Sequence, residues 1–167
     1  MLLLARIVHI AGGVSWAGAM FFLALFLFPA VKQAGHDGSA VVVALARQRV
    51  LDIVPVIAMF TMVSGFYMYW RSSIAIGSSY MQSGTGVAYG IGAVATVIAF
   101  ITGARFIRPT MKQAMALSER ASSVSATERD ALLSQAELLE VRGGRAARVV
   151  ALLLGIAVVA MSVARYV

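Results

Sequence analysis

The chain of 167 residues is 60% hydrophobic and only 13% charged, a composition that indicates a membrane protein rather than a soluble globular domain. It contains no cysteine, so disulfides, thiolate metal sites and cysteine nucleophiles are excluded. The net charge of +7 would suggest nucleic acid as the partner of a soluble chain. Here it is better explained by basic residues that anchor helix ends to a lipid bilayer, and no nucleic-acid partner is expected.

Four apolar segments, each long enough to cross the hydrocarbon of a bilayer, follow one another along the chain. The predicted spans cover residues 3–31, 50–70, 87–107 and 147–165. Such segments predict an all-α fold, an integral membrane four-helix bundle in a single domain of residues 1–167. An even number of spans also places both chain termini on the same side of the membrane.

Basic residues are distributed unevenly over the two sides of this predicted bundle. Eleven of the 14 lysines and arginines lie in the connections after the first and third spans or at the span ends that adjoin them. The other three are Arg6, Arg71 and Arg165. Because cytoplasmic loops are enriched in Lys and Arg, the sequence predicts an inner-membrane protein with both connections in the cytoplasm and both termini outside.

The first connection has turn residues around Gly35 and then Ser39, a typical N-cap, which predicts a short helix leading into the second span. His36 and Asp37 lie in that turn. A metal site there would need further ligands nearby, so a solvated turn is favoured.

An acidic residue, Asp52, lies at the predicted start of the second span. Basic candidates for an ion pair are Arg49, three residues earlier, and Arg105 or Arg108 on the third span. We therefore expect Asp52 to hold helix ends together by an ion pair rather than to relay protons.

The predicted outer side is rich in aromatic and small residues. An interfacial aromatic belt is expected from the residues at the outer helix ends, namely Tyr67, Tyr69, Trp70, Tyr89 and Tyr166. The connection "RSSIAIGSSYMQSGTG" between the second and third spans is short and rich in Ser and Gly, and it is predicted to be a plain loop.

The connection of residues 109–144 predicts a cytoplasmic helical hairpin between the third and fourth spans. Pro109 can open its first helix, Ser125 and Glu128 form a capping-box pattern for the second, and Gly143 is a typical stop. The second helix has an apolar stripe formed by Leu132, Leu133, Ala136 and Leu139. We expect the stripe to pack against the first helix, with a docking surface for another membrane subunit as the alternative.

A histidine, His9, lies in the apolar stretch "RIVHIAGGVSWAGAMFF", about 7 Å inside the predicted outer boundary at about 1.5 Å per residue. Gly12 and Gly13 share its helix face, and Gly65 and Gly92 lie at the same depth on other spans. Side chains missing at one depth indicate either close helix contact or a slot for a flat ligand.

Histidine is the most frequent axial ligand of haem, and His9 would lie on the rim of such a slot. Trp16, seven residues later, would form the floor, and Met161 is the best-placed thioether for a sixth ligand. The alternative is that His9 only hydrogen-bonds a neighbouring carbonyl at an interfacial depth.

The segment "HIAGGVSWAG", followed by an apolar run and "FPAV", resembles the first helix of the CopD-like and HemJ-like four-helix membrane proteins. The HemJ-like branch is associated with haem b and protoporphyrinogen oxidation, so the resemblance implies haem ligation by His9. That branch also places a lysine in later helices, whereas the third span here begins "VAYGIGAVATV", so the oxidase activity is not expected. The CopD-like branch is linked to copper uptake, for which Met59, Met62 and Met68 are candidate ligands.

These observations favour a b-type haem protein of the inner membrane, with a redox or electron-transfer role, in which haem iron binds His9 and Met161. The principal alternative is an accessory subunit without cofactor that joins a larger membrane complex through its hairpin or glycine-rich faces. Copper transport ranks third. No Ser-His-acid triad, intramembrane carboxylate pair or phosphate-binding glycine loop is evident in the sequence, which argues against hydrolases and kinases.

Overall fold

The computed structural model describes the backbone of residues 1–167 and all side chains except those of His36, Asp37, Ser39, Ala46 and Ser78. The described residues form five continuous helices and no strand: α1 Leu2–Ala34, α2 His36–Arg47, α3 Val50–Ile76, α4 Gly84–Ala121 and α5 Ala126–Tyr166. Four of them, α1, α3, α4 and α5, are long and apolar enough to cross a membrane. The predicted all-α membrane four-helix bundle is therefore confirmed.

Positive backbone φ angles separate the helices at three chain reversals. Gly35 (φ 58°) ends α1 and Gly77 (φ 95°) ends α3, conformations that glycine adopts without a steric penalty. Arg49 (φ 60°) separates α2 from α3. The short helix predicted after Ser39 exists, but it begins earlier, at His36. The hypothesis of a metal site in this turn concerns side chains that lie outside the described ones.

The four spans are arranged as two closely packed pairs, α1 with α3 and α4 with α5. The pairs meet in a core made largely of small side chains, including Ala17, Ala24, Ala58, Ala99 and Ala147. Large apolar side chains such as Val14, Phe60 and Leu152 are instead exposed on the outside of the bundle, where lipid would surround them. No single helix of one pair contacts a helix of the other as extensively as the two helices within a pair contact each other, and the contact between α3 and α4 is small.

Two π-helical turns, Leu23–Leu27 in α1 and Gly103–Ile107 in α4, interrupt the regular helix. Each turn is followed two residues later by a proline, Pro29 or Pro109. A proline ring clashes with the carbonyl four residues before it, and that carbonyl lies inside the π turn in both cases. The wider turn therefore lets both helices continue through their prolines.

The predicted hairpin is the continuation of spans α4 and α5 rather than a separate pair of helices. Contrary to expectation, α4 does not begin anew at Pro109 and α5 does not stop at Gly143. Gly143 instead faces Met111, whose terminal methyl carbon, Cε, occupies the space that a side chain would fill. Close contact between the two hairpin helices requires a glycine at this position, and the end of a helix does not.

The apolar stripe of the hairpin packs against α4, as expected. Leu132 and Ala136 of the stripe are buried, together with Met111 and Ala114 of the facing helix. Ser125 occupies the N-cap position of α5, but its side chain makes no capping hydrogen bond. Leu133 and Leu139 of the stripe are partly buried.

Asp52 forms the expected ion pair between helix ends. Its Oδ1 lies 2.7 Å from a guanidinium nitrogen of Arg108 and 3.4 Å from Nζ of Lys112, both on α4. All three side chains are about half exposed. The interaction joins the two helix pairs at the end of the bundle that carries the hairpin.

Candidate ligand-binding cavity around His9

A cavity of about 330 Å³ lies between the two helix pairs, towards the end of the bundle that holds both termini. All four spans contribute to it, and its lining includes Arg6, His9, Met62, Tyr69, Tyr89 and Met161. Its volume is at the lower end of the range of about 300–1,000 Å³ that is typical of small-molecule sites. The polar groups in its wall converge from helices that are far apart in sequence.

The imidazole of His9 is oriented by a hydrogen bond to α3. Its Nδ1 lies 2.8 Å from the carbonyl oxygen of Thr61. A carbonyl oxygen can only accept, so Nδ1 carries the hydrogen, and Nε2 of the neutral ring carries the free lone pair. The sequence analysis gave a hydrogen bond from His9 to a carbonyl as the alternative to haem ligation. That hydrogen bond is present, and it leaves Nε2 for a ligand.

Close approach of α1 and α3 brings His9 within reach of this carbonyl. Gly12 faces the side chain of Thr61, and a methyl group at Gly12 would overlap the Thr61 hydroxyl. Gly13 also faces Thr61, at ordinary contact distance. The Thr61 hydroxyl donates back to the carbonyl of Ile57 at 2.9 Å. The two glycines of the first span therefore serve helix packing next to the cavity.

Gly65 on α3 and Gly92 on α4 make room for the proposed ligand side chains. A Cβ atom on Gly65 would lie 2.7 Å from Cε1 of His9, and one on Gly92 would lie 2.8 Å from Cε of Met161. Gly65 borders the cavity, whereas Gly92 packs behind Met161. The layer of glycines thus accommodates the His9 and Met161 side chains and is not itself an open slot.

Trp16 occupies a different place from the one expected for it. Its side chain is only 4% exposed and packs in the alanine-rich core, next to Met20 and Ala58. It lines a smaller apolar cavity deeper in the bundle and not the cavity of His9. The floor of the His9 cavity is formed by other residues, including Met62 and Thr96.

Three tyrosines line the cavity, although the sequence analysis placed two of them in an interfacial belt and one in a loop. Tyr69 and Tyr89 face inward, and Tyr80 is buried on the short helical turn of residues 78–82 between α3 and α4. The Tyr69 and Tyr80 rings lie 5.6 Å apart, centroid to centroid. Burial raises the pKa of the Tyr80 phenol above its usual range, so this phenol is protonated at neutral pH.

Helical spacing is the sequence feature that would have identified some of these residues. Tyr69 follows Met62 by seven positions and Gly65 by four, so the three share a face of α3. Tyr89 and Thr96 are likewise seven positions apart on α4. Nothing comparable marks Tyr80, because its turn was predicted to be a plain loop.

The methionines of α3 divide between the cavity and the outer surface. Met62 and Met68 line the cavity with Met161, while Met59 is 49% exposed on the outside of the bundle. Among the described residues no group of three or more His, Cys, Asp or Glu side chains could hold a metal ion. A metal centre in this cavity would therefore depend on His9 and thioether sulfurs.

Comparisons of the chain with protein-family models, with curated proteins and with solved structures find no match.

Proposed function

We propose that this protein is a b-type haem protein of the membrane, with His9 Nε2 as the axial ligand of the iron. The observation that supports this most directly is the hydrogen bond from His9 Nδ1 to the Thr61 carbonyl. Metal-binding histidines characteristically donate a hydrogen bond from the N–H of their second ring nitrogen to such an acceptor, which orients the ring and fixes its tautomer. A bound haem would supply one-electron redox chemistry and hence an electron-transfer role.

The other groups in the cavity wall suit the parts of a haem molecule. Met161 provides a thioether for the sixth position, and Phe66 and Ala93 provide apolar surface for the macrocycle. Arg6 lies at the end of the cavity nearest the N-terminus, where its charge would neutralise a propionate. A porphyrin would need the cavity to widen, and the small contact between α3 and α4, which both line it, favours opening on that side.

A copper(I) site is the second candidate, because soft donors cluster in the same cavity. Met62, Met68 and Met161 line it together with His9. Thioethers and imidazole are ligands that copper(I) accepts. This set includes two of the three methionines that the sequence suggested for copper, whereas Met59 is on the outside.

For orientation, we propose that both termini lie outside the inner membrane and that the hairpin lies in the cytoplasm. The antiparallel arrangement of α1, α3, α4 and α5 supports this, because it places the two basic connections at the same end of the bundle. The positive-inside rule assigns that end to the cytoplasm.

An absorption spectrum of the purified protein tests the proposed function. Protein from haem-sufficient cells is expected to show a Soret band that His9→Ala abolishes, while His36→Ala, at the only other histidine, retains it. A preparation that stays colourless after haem is added would contradict haem binding. Measurement of copper(I) affinity on the same colourless sample, with Met62→Leu as the variant, would then distinguish a copper site from an accessory subunit without cofactor.

A further inference from the structure

A second cavity, of about 180 Å³, lies between the end of α1 and the middle of α5. It is at the opposite end of the bundle from His9, where the apolar stretch of α1 ends and that of α5 begins. Its basic lining consists of Lys32 from α1 and Arg145 and Arg148 from α5. The two arginines are three positions apart and therefore share a face of the helix.

The charge of this cavity favours an anion. Lys32, Arg145 and Arg148 form no ion pair with any side chain that the structure describes. Two carboxylates also line the cavity, but buried Glu140 already interacts with another group of the protein. Exposed Glu137 is the other carboxylate in a lining that has three cations. No ion pair among the described side chains neutralises these three cations, and such a set of cations suits an external anion.

Apolar surface continues from this cavity towards the membrane. Phe28, Pro29 and Val31 form its wall on α1. Further along the spans, Phe26 is 65% exposed and Leu152 is 66% exposed on the outside of the bundle. A ligand held by the three cations would therefore have an apolar surface available beside it, at the depth where the bilayer changes from headgroups to hydrocarbon.

We propose that this cavity binds the phosphate of an anionic phospholipid, whose acyl chains lie along the exposed apolar faces of α1 and α5. A free phosphate would satisfy the cations but would leave the apolar wall unused, so the combination favours a lipid. Basic pockets between membrane helices at the headgroup level bind anionic lipids in this way. The site is independent of the haem or copper proposal, because it shares no residue with the His9 cavity.

Lipid binding by the purified full-length protein in a non-ionic detergent tests the proposal. Phosphatidylglycerol is expected to remain bound in native mass spectrometry and to raise the unfolding temperature, whereas phosphatidylcholine is not. The variant with Arg145→Gln and Arg148→Gln is expected to bind phosphatidylglycerol on the order of tenfold more weakly. The matched control removes two exposed arginines outside the cavity, Arg105→Gln with Arg142→Gln, and is expected to bind like the wild type.

Three outcomes would overturn the proposal. Equal weakening in both double variants would show a general charge effect, and equal binding of phosphatidylcholine would show that the headgroup charge is irrelevant. An equal rise of the unfolding temperature with inorganic phosphate alone would assign the site to a free anion. If the double variant does not elute as a folded protein, Lys32→Gln provides the same test from the other helix, with loss of phosphatidylglycerol binding expected.

Discussion

The carbonyl oxygen of Thr61 lies 2.8 Å from Nδ1 of His9, so a hydrogen bond between α1 and α3 fixes the orientation of the imidazole. The same carbonyl accepts the Ser64 hydroxyl at 2.9 Å. This bond has a structural role whether or not a ligand occupies Nε2. The variants that are informative are therefore those that separate the contribution of the bond to stability from ligation by the ring.

His9→Asn is expected to separate these two roles. An asparagine amide can donate to the Thr61 carbonyl but does not replace imidazole as an axial ligand of haem. We expect the Asn variant to lose the Soret band and to keep most of its thermal stability. His9→Ala should lose both the band and about 1 kcal/mol of stability, the value of one intramembrane hydrogen bond. A Soret band in the Asn variant would contradict ligation by His9.

Gly65→Ala is expected to displace the His9 ring. The added Cβ would lie 2.7 Å from Cε1 of His9, which is too close for the ring to keep its place. We expect a weaker or shifted Soret band and a lower unfolding temperature. Gly18→Ala is the control, because a Cβ there meets no atom within 4 Å. An unchanged spectrum for Gly65→Ala would show that the ring orientation is not needed for binding.

Met161→Leu is expected to alter the haem spectrum without abolishing it. Leucine is similar in bulk to methionine, so packing against Gly92 is kept. It lacks the sulfur that would take the sixth coordination position of the haem iron. Reduced-minus-oxidised difference spectra and a redox titration would detect the change. Met59→Leu, on the outer surface of α3, should leave both measurements unchanged. Identical spectra for Met161→Leu and the wild type would remove Met161 from the ligand set.

Asp52→Asn is expected to lower the unfolding temperature slightly. Its partners Arg108 and Lys112 are about half exposed, as is Asp52, and exposed ion pairs contribute little. Because salt screens such pairs, the difference from the wild type should shrink as the ionic strength rises. Glu119→Gln removes an exposed carboxylate for which no ion pair is observed among the described side chains, and it serves as the control. A large loss at all salt concentrations would indicate a role for Asp52 beyond this pair.

Single cysteines in a chain that has none will report the orientation directly. Gln82→Cys lies between α3 and α4, and Ser123→Cys lies at the turn of the hairpin, and both positions are exposed. If the termini are outside, a membrane-impermeant maleimide should label Gln82→Cys in intact cells. Ser123→Cys should be labelled only after the cells are opened. The reverse pattern would invert the topology.

Local sequence features predicted some of the polar interactions but not the orientation of the aromatic ones. The Asp52–Arg108 pair was foreseeable, because the positions of both residues follow from the ends of the spans. Tyr69 and Tyr89 were assigned to the outer belt because aromatic residues are enriched at membrane interfaces. In the structure both line the His9 cavity. Their depth in the membrane was indicated by the sequence, but the direction of their side chains was not.

The sequence by itself determined that four helices are long and apolar enough to span a membrane, because the free energy of transfer into lipid is a sum over neighbouring residues. Only the tertiary structure decided that Thr61 is the partner of His9, that Gly65 and Gly92 receive the side chains of His9 and Met161, and that the hairpin continues the spans. The physical reason is that a membrane helix can be apolar on all its faces. Hydropathy then does not reveal which face meets another helix, and side-chain packing at sites of close approach decides it.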